Sequence, residues 1–156
     1  MNDLALLETL LNTLSIDTGE DRLEAEFGLA GGELEQAREL RESLRVACLA
    51  HAGHGSHTEV RPLSELLAEA PLVVAVDPAT GAASLRPARE GALVARVASA
   101  IASTTADGTW PRLKACEAAD CHWAYVDRSP GGRRRWCSMS VCGARAKMRT
   151  YRTRQG

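Results

Sequence analysis

The chain has 156 residues, 45% of them hydrophobic and 25% charged, with a formal net charge of −1. That length allows one medium domain or, as a better fit here, a domain of about a hundred residues with a small appendage. No charge-free apolar run approaches the ~18–20 residues needed to span a bilayer, so a membrane protein is excluded and a soluble, cytoplasmic one is expected. The near-zero net charge hides an asymmetry. Residues 1–109 carry 8 basic and 17 acidic side chains, a net of −9, whereas residues 110–156 carry 11 basic and 3 acidic, a net of +8. An acidic body joined to a basic module suggests a regulatory part and a polyanion-binding part. Arginine outnumbers lysine 17 to 2, as coding bias alone can produce, so the placement of these residues says more than their number.

In chain order, Leu4, Leu7, Leu10, Leu11 and Leu14 share one face at helical spacing behind Asp3, a candidate N-cap, so the first segment reads as an amphipathic helix. Residues 21–29 form a shorter helical candidate carrying Phe27, read as a core anchor and closed by Gly31-Gly32. Residues 33–51 give the clearest helix. Leu34, Ala37, Leu40, Leu44, Ala47 and Cys48 line its buried stripe, while Glu35, Arg38, Glu39, Arg41, Glu42 and Arg45 alternate in sign on a face expected to meet solvent. Cys48 is read as a small core residue. His51, His54 and His57 then recur at intervals of three, a spacing that can gather imidazoles around a metal. Gly53, Gly55 and Ser56 break any helix that would align them, so a mobile loop is expected instead. A short helix over residues 62–70 starts at Pro62 and stops at Pro71. A β-hairpin over residues 72–87 follows, turning at Asp77-Pro-Ala-Thr-Gly81, and a last helix over residues 90–105 completes a single core. No pair of titratable groups in this part suggests acid-base chemistry, and no catalytic residues are assigned; the chain is not expected to be an enzyme.

Past Thr109 the text changes character. Cys116, Cys121, Cys137 and Cys142 form two C-x4-C pairs fifteen residues apart. So short a stretch buries little apolar surface, and two close cysteine pairs joined by a hairpin-sized segment read as a structural metal site. Zinc fits, because it takes four thiolates tetrahedrally and contributes folding free energy when it binds. Four thiolates and one Zn²⁺ together carry −2, leaving the module at about +6. Disulfides would need an oxidising compartment, yet the N-terminus shows no basic stretch followed by an apolar core. A nucleophilic cysteine lacks a partnering base in the sequence. His122, beside Cys121, is a rival ligand. A site closed by four thiolates offers no position for substrate and is therefore structural.

Residues 122–127 alternate as a strand, with Trp123 and Tyr125 on one side and His122, Ala124 and Val126 on the other. Pro130-Gly131-Gly132 turns the chain back through residues 133–136 to Cys137, and Cys142 opens a final helix, a treble-clef-like arrangement. On that helix Val141, Ala144, Met148 and Tyr151 share a face expected to pack on the hairpin. Arg145, Arg149 and Arg152 share another, with Lys147 and Arg154 beside it. This basic face, with Arg133, Arg134 and Arg135 as a second line, is suited to the phosphates of nucleic acid. The aromatic residues can stack on unpaired bases, but in so small a module core packing is the expectation. The fold class expected for the whole chain is mainly α with a β-hairpin (α+β), a helical domain over residues 1–109 followed by a small zinc finger over residues 110–156.

The run Cys116-x4-Cys121-His-Trp-Ala-Tyr-Val-Asp-Arg-Ser129, with Arg134-Arg-Trp-Cys-Ser-Met139 and Cys142-Gly-Ala-Arg-Ala-Lys147, resembles the CGNR zinc finger. Leu11-Asn-Thr-Leu14 and Leu40-Arg-Glu-Ser-Leu44 resemble fragments of the ABATE domain that accompanies this finger in bacteria. The resemblance implies a stress-associated transcription regulator whose finger binds double-stranded DNA and whose N-terminal domain senses or binds a small ligand or protein. Ala144 stands where the family's signature asparagine is, so a base contact or helix cap made by that asparagine is lost here while a packing role would be kept. A protein-interaction module whose basic finger docks on an acidic partner, and an RNA-binding protein, are the alternatives.

Overall fold

A computed structural model describes residues 2–56 and 58–156. Helix α1 (Asp3–Leu11) is capped by Asn2, whose Oδ1 accepts from the Ala5 amide at 2.8 Å, so Asn2 rather than Asp3 supplies the cap. Leu6, Leu7, Leu10 and Leu11 of α1 are buried. Helix α2 (Leu23–Phe27) stops at Gly28, which takes φ +63° at its C-terminus. Gly31 and Gly32, expected to end α2, instead form the first turn of α3 (Gly31–His51). The short α4 (Leu63–Leu67), the antiparallel hairpin β1 (Leu72–Val76) with β2 (Ala83–Pro87), and α5 (Leu93–Ala106) follow. Helices α1, α3 and α5 pack on one another around a core of leucine, alanine and valine that also holds Cys48, and Phe27 lies against its edge. Burial pushes the Cys48 thiol up to about 12, as befits a core residue. Among the described residues no helix is long and apolar enough to cross a membrane.

Two expectations for this region fail. The β1–β2 hairpin forms with its turn at Asp77, whose Oδ1 accepts from the Ala79 amide at 2.8 Å. Its valines, however, are not in the core. Val73, Val74 and Val76 are exposed, and only Leu72 of β1 packs against the cluster. The second failure concerns the charged face of α3, because Arg41 and Arg45 are buried. Arg41 forks onto both carboxylate oxygens of Asp21 at 2.7 and 3.1 Å, also reaching Thr13 and Glu42. Arg45 donates to Glu42, to the Leu11 carbonyl at 2.9 Å and to the His122 carbonyl at 2.7 Å. Guanidinium groups are tolerated inside when their donors are filled this completely.

The C-terminal stretch begins with a helical turn at residues 110–112 and a second antiparallel pair, β3 (Leu113–Ala115) with β4 (Ala124–Val126). This differs from the expected hairpin around Gly131-Gly132. Residues 133–136 form no strand, and β4 pairs backwards across the first cysteine knuckle. β3 packs on α3 and β4 on α1, so Leu113, Ala115 and Ala124 belong to the same core as the helices. Three side chains fix this seam. The Asn12 amide both donates to the Ala124 carbonyl (3.0 Å) and accepts from its N–H (2.8 Å), as a neighbouring strand would. His51 Nδ1 donates to the Leu113 carbonyl at 2.7 Å, and its ring meets the edge of Trp110 with centroids 4.7 Å apart. Arg45 holds the carbonyl of His122.

A candidate zinc centre

β3 delivers Cys116 to the end of the strand, and the knuckle reverses through Cys121 and His122 before β4 begins. The Ala118 carbonyl accepts from the amides of Cys121 (2.9 Å) and His122 (3.1 Å), which closes the loop tightly. His122 completes the reversal at φ +48°, a left-handed conformation in which histidine is found more often than bulkier or β-branched residues. Its imidazole is turned away from the sulfurs, with Nδ1 donating to the Cys116 carbonyl at 2.8 Å. The rival ligand suggested by the sequence is thus a brace for the knuckle.

The second pair is placed by a different device. Arg134 donates to the Cys137 carbonyl at 2.9 Å, orienting that residue from behind. Ser138 then caps the following helix, its Oγ accepting from the Val141 amide at 3.2 Å. Residues Met139–Gly143 form one wide turn, with the Gly143 amide reaching the Ser138 carbonyl at 3.0 Å, before α6 (Ala144–Gln155) continues with ordinary winding. Cys142 is therefore held inside the widened first turn, and Ser138 opens the helix. A side chain at Gly143 would crowd Met139, since a Cβ there would lie 3.2 Å from its sulfur.

The four Sγ atoms lie within 4.8 Å of one another, and among the described residues no other group of histidine, cysteine or carboxylate side chains is gathered for a metal. Zinc–sulfur bonds of about 2.3 Å at tetrahedral angles require neighbouring sulfurs about 3.8 Å apart. Cys121 and Cys137 are 3.6 Å apart, and Cys137 and Cys142 3.8 Å. The backbone amides of Ala118 and Cys137 act to lower the Cys116 thiol, and that of Trp123 acts against the rise at Cys121. The thiols also show why a cation belongs here. A hydrogen bond from Cys121, against the cost of burial, lowers Cys116 to about 5, whereas burial followed by the Cys116 charge raises Cys137 to about 11. One thiolate suppresses the next until a divalent ion compensates them all. The four cysteines form a zinc-binding site of closed, structural type.

Below the site a buried ion pair replaces an apolar floor. Lys114 Nζ lies 2.8 Å from Asp127 Oδ2, and both side chains are all but inaccessible. Lys114 also donates to the carbonyls of Gly132 and Arg134, while Asp127 accepts from the Ser129 amide and hydroxyl and from the Arg134 amide. Burial alone would raise the Asp127 carboxyl, but its bonds to Lys114, Ser129 and Arg134 prevail and hold it well below the usual carboxylate range. The buried Tyr125 hydroxyl donates to the Arg134 carbonyl at 2.8 Å. Nothing in the local spacing of Lys114 or Asp127 marked this pair, nor the seam made by Asn12, Arg45 and His51.

The basic residues are distributed unevenly. Arg134 is engaged within the finger, its guanidinium 5.0 Å from the centre of the Tyr125 ring. Arg135 pairs with Glu117 and lies over Trp136, and Arg145 pairs with Asp120 at 3.2 Å. Arg133, Lys147, Arg149 and Arg152 are exposed. Trp123 is partly exposed and Trp136 half-buried, so of Trp123, Tyr125 and Trp136 only Tyr125 is buried. An open cleft of about 890 Å³ runs between the knuckle and α6, walled by Glu117 and Asp120 on one side and Lys147, Arg149 and Arg154 on the other. His54 reaches its rim, with Nδ1 3.7 Å from Glu117, while His51 is committed to Leu113; the two do not converge. His57, the third member of that series, lies outside the described residues.

The expectation that α6 packs on the hairpin is also overturned. Val141, Met148 and Tyr151 are exposed, as is Ala144, and Ala146 is the one α6 residue that is half-buried. No curated protein matches the chain. The model of the CGNR zinc finger matches residues 112–155, the stretch that runs from the turn before β3 through all four cysteines to the end of α6.

Proposed function

We propose that this is a non-enzymatic, zinc-stabilised DNA-binding protein acting as a transcription regulator, with the finger on double-stranded DNA and the N-terminal helices, ABATE-like in sequence, receiving a signal. The observation that carries this reading is α6 itself. It is a largely exposed helix that follows the cysteine-bearing turn, carrying five cations and no acid between Ala144 and Gln155. A zinc with four protein thiolates has no open coordination position for a reaction, which supports a binding role. The seam of Asn12, Arg45 and His51 supplies direct contacts through which a change in α1 or α3 would reach the knuckle.

Titration of random duplex DNA with the zinc-loaded full chain across a salt series tests the proposal. Binding should weaken steeply with salt. In an Arg145/Arg149/Arg152→Ala variant the slope should become shallower by up to about three phosphate equivalents, at ~0.9 per phosphate. Absence of binding at low salt would end the proposal. The second reading, a protein-interaction module, is favoured by one observation, the exposed apolar residues Met139, Val141, Met148 and Tyr151.

A further inference from the structure

The apolar stripe of α6 points outward, and its surroundings say what it meets. At about 100° per residue, Ala144, Met148 and Tyr151 of α6 fall on the side away from Ala146, the helix's one half-buried residue, while Val141 lies in the wide turn before it. Val141, Met148 and Tyr151 are 46%, 51% and 57% exposed. The same winding puts Arg145 and Arg152 along one flank of the stripe and Lys147 and Arg154, which with Tyr151 also border the open cleft, along the other. The Arg145–Asp120 pair does not fix its flank, because both side chains are more than half exposed and such a pair contributes little. The helix thus presents a narrow apolar ridge between two rows of cations.

We infer that α6 lies lengthwise in the major groove of duplex DNA, with Met148 and Tyr151 against base edges, thymine methyl groups among them, and the two cationic rows on the phosphates of the opposite strands. This rests on the duplex-binding reading above and deepens it by assigning base reading and phosphate contact to different residues. The dimensions agree. A helix about 10–12 Å across fits a groove about 12 Å wide, and twelve residues span roughly 18 Å along it. Phosphates line both edges of that groove, matching cations on both flanks and a ridge without charge between them. An anionic membrane would call for a broad face of large apolar side chains, and this ridge is narrow and holds no leucine, isoleucine or phenylalanine. The core of a protein interface is depleted of charge, whereas this ridge is closely bordered by it.

The experiment enriches binding sequences from a random duplex pool with the zinc-loaded full chain, then replaces thymine by uracil one position at a time in the enriched duplex. Uracil removes only the 5-methyl group. The expected result is a loss of roughly fourfold at one or two positions, the equivalent of one buried methyl group. In Met148→Ala or Tyr151→Ala protein that sensitivity should diminish at a specific position while the salt slope stays unchanged. Both residues are exposed, so the variants should fold. Indifference to uracil throughout, or enrichment of no sequence despite salt-dependent binding, would overturn the base-reading assignment and leave duplex binding standing. Failure to bind any duplex would overturn both. Tighter binding to phosphatidylserine-rich vesicles, or to polyglutamate, than to duplex at the same salt would assign the ridge to a membrane or a protein instead.

Discussion

Cys137→Ser should cost the chain its zinc and melt the segment that follows Arg134, while the helical core keeps most of its circular dichroism. Structural zinc contributes about 10–16 kcal/mol of apparent binding free energy at neutral pH in small finger peptides. The Lys114–Asp127 network holds the chain as far as Arg134, and past it there is little else. The cluster buried around the sulfurs comprises Cys116, Ala118 and Cys142, with Cys121, Trp136 and Cys137 partly covered, and α6 buries none of its residues. A twelve-residue helix is marginal in water once its anchored first turn is released. The strands are in a different position. Leu113, Ala115 and Ala124 sit in the helical core, and Asn12, Arg45 and His51 bond to their backbone or to the adjoining knuckle. Hydrogen exchange should therefore show residues 135–156 unprotected in the variant, with α1, α3 and α5 protected but less stable to heat. Retention of α6 without zinc would contradict this account. Loss of α3 and α6 in a single transition would show that the zinc site and the helices unfold as one unit.

The second large effect belongs to the pair beneath the site. Asp127→Ala should destabilise the zinc-loaded chain by about 3–5 kcal/mol, because it leaves the Lys114 ammonium buried beside carbonyl oxygens only. Lys114→Met should cost less, since the Asp127 carboxylate keeps the Ser129 and Arg134 donors. Replacing both, as Lys114→Met with Asp127→Leu, should recover part of the loss. Denaturant midpoints at pH 7 make this comparison. The sign of the pH effect supports that choice. The Asp127 carboxyl is lowered in the folded state, so its stabilisation is complete above the ordinary carboxylate value of about 3.9 and is lost as pH falls towards the folded one. Equal costs for both single variants would mean that the pair, rather than the carboxylate's wider set of donors, carries the stability.

Spacing made the zinc ligands legible, because two close cysteine pairs in a stretch too short for a core need a metal to hold that stretch together. Periodicity made the helices legible, and the turn chemistry of Asp77–Gly81 revealed the first hairpin. Each failure has the same physical source: a local pattern cannot report its distant partner. Arg41 and Arg45 alternate with acids as a solvated face would, yet the oxygens that bury them lie on Asp21, Leu11 and His122. β3 is three residues long and finds β4 only across the knuckle, so no alternation announced it. On α6, periodicity fixes which residues share a face and not whether that face points at the protein. The wide turn at Met139–Gly143 also takes Val141 out of register with the stripe that periodicity assigned it to.

The most direct test of the centre that organises this arrangement is X-ray absorption at the zinc edge, with metal content measured on the same full-length sample. One zinc per chain is expected, bound by four sulfurs at about 2.3 Å with no lighter scatterer in the first shell. A nitrogen or oxygen ligand in that shell, or a folded chain that binds no zinc with its cysteines paired as disulfides, would contradict it.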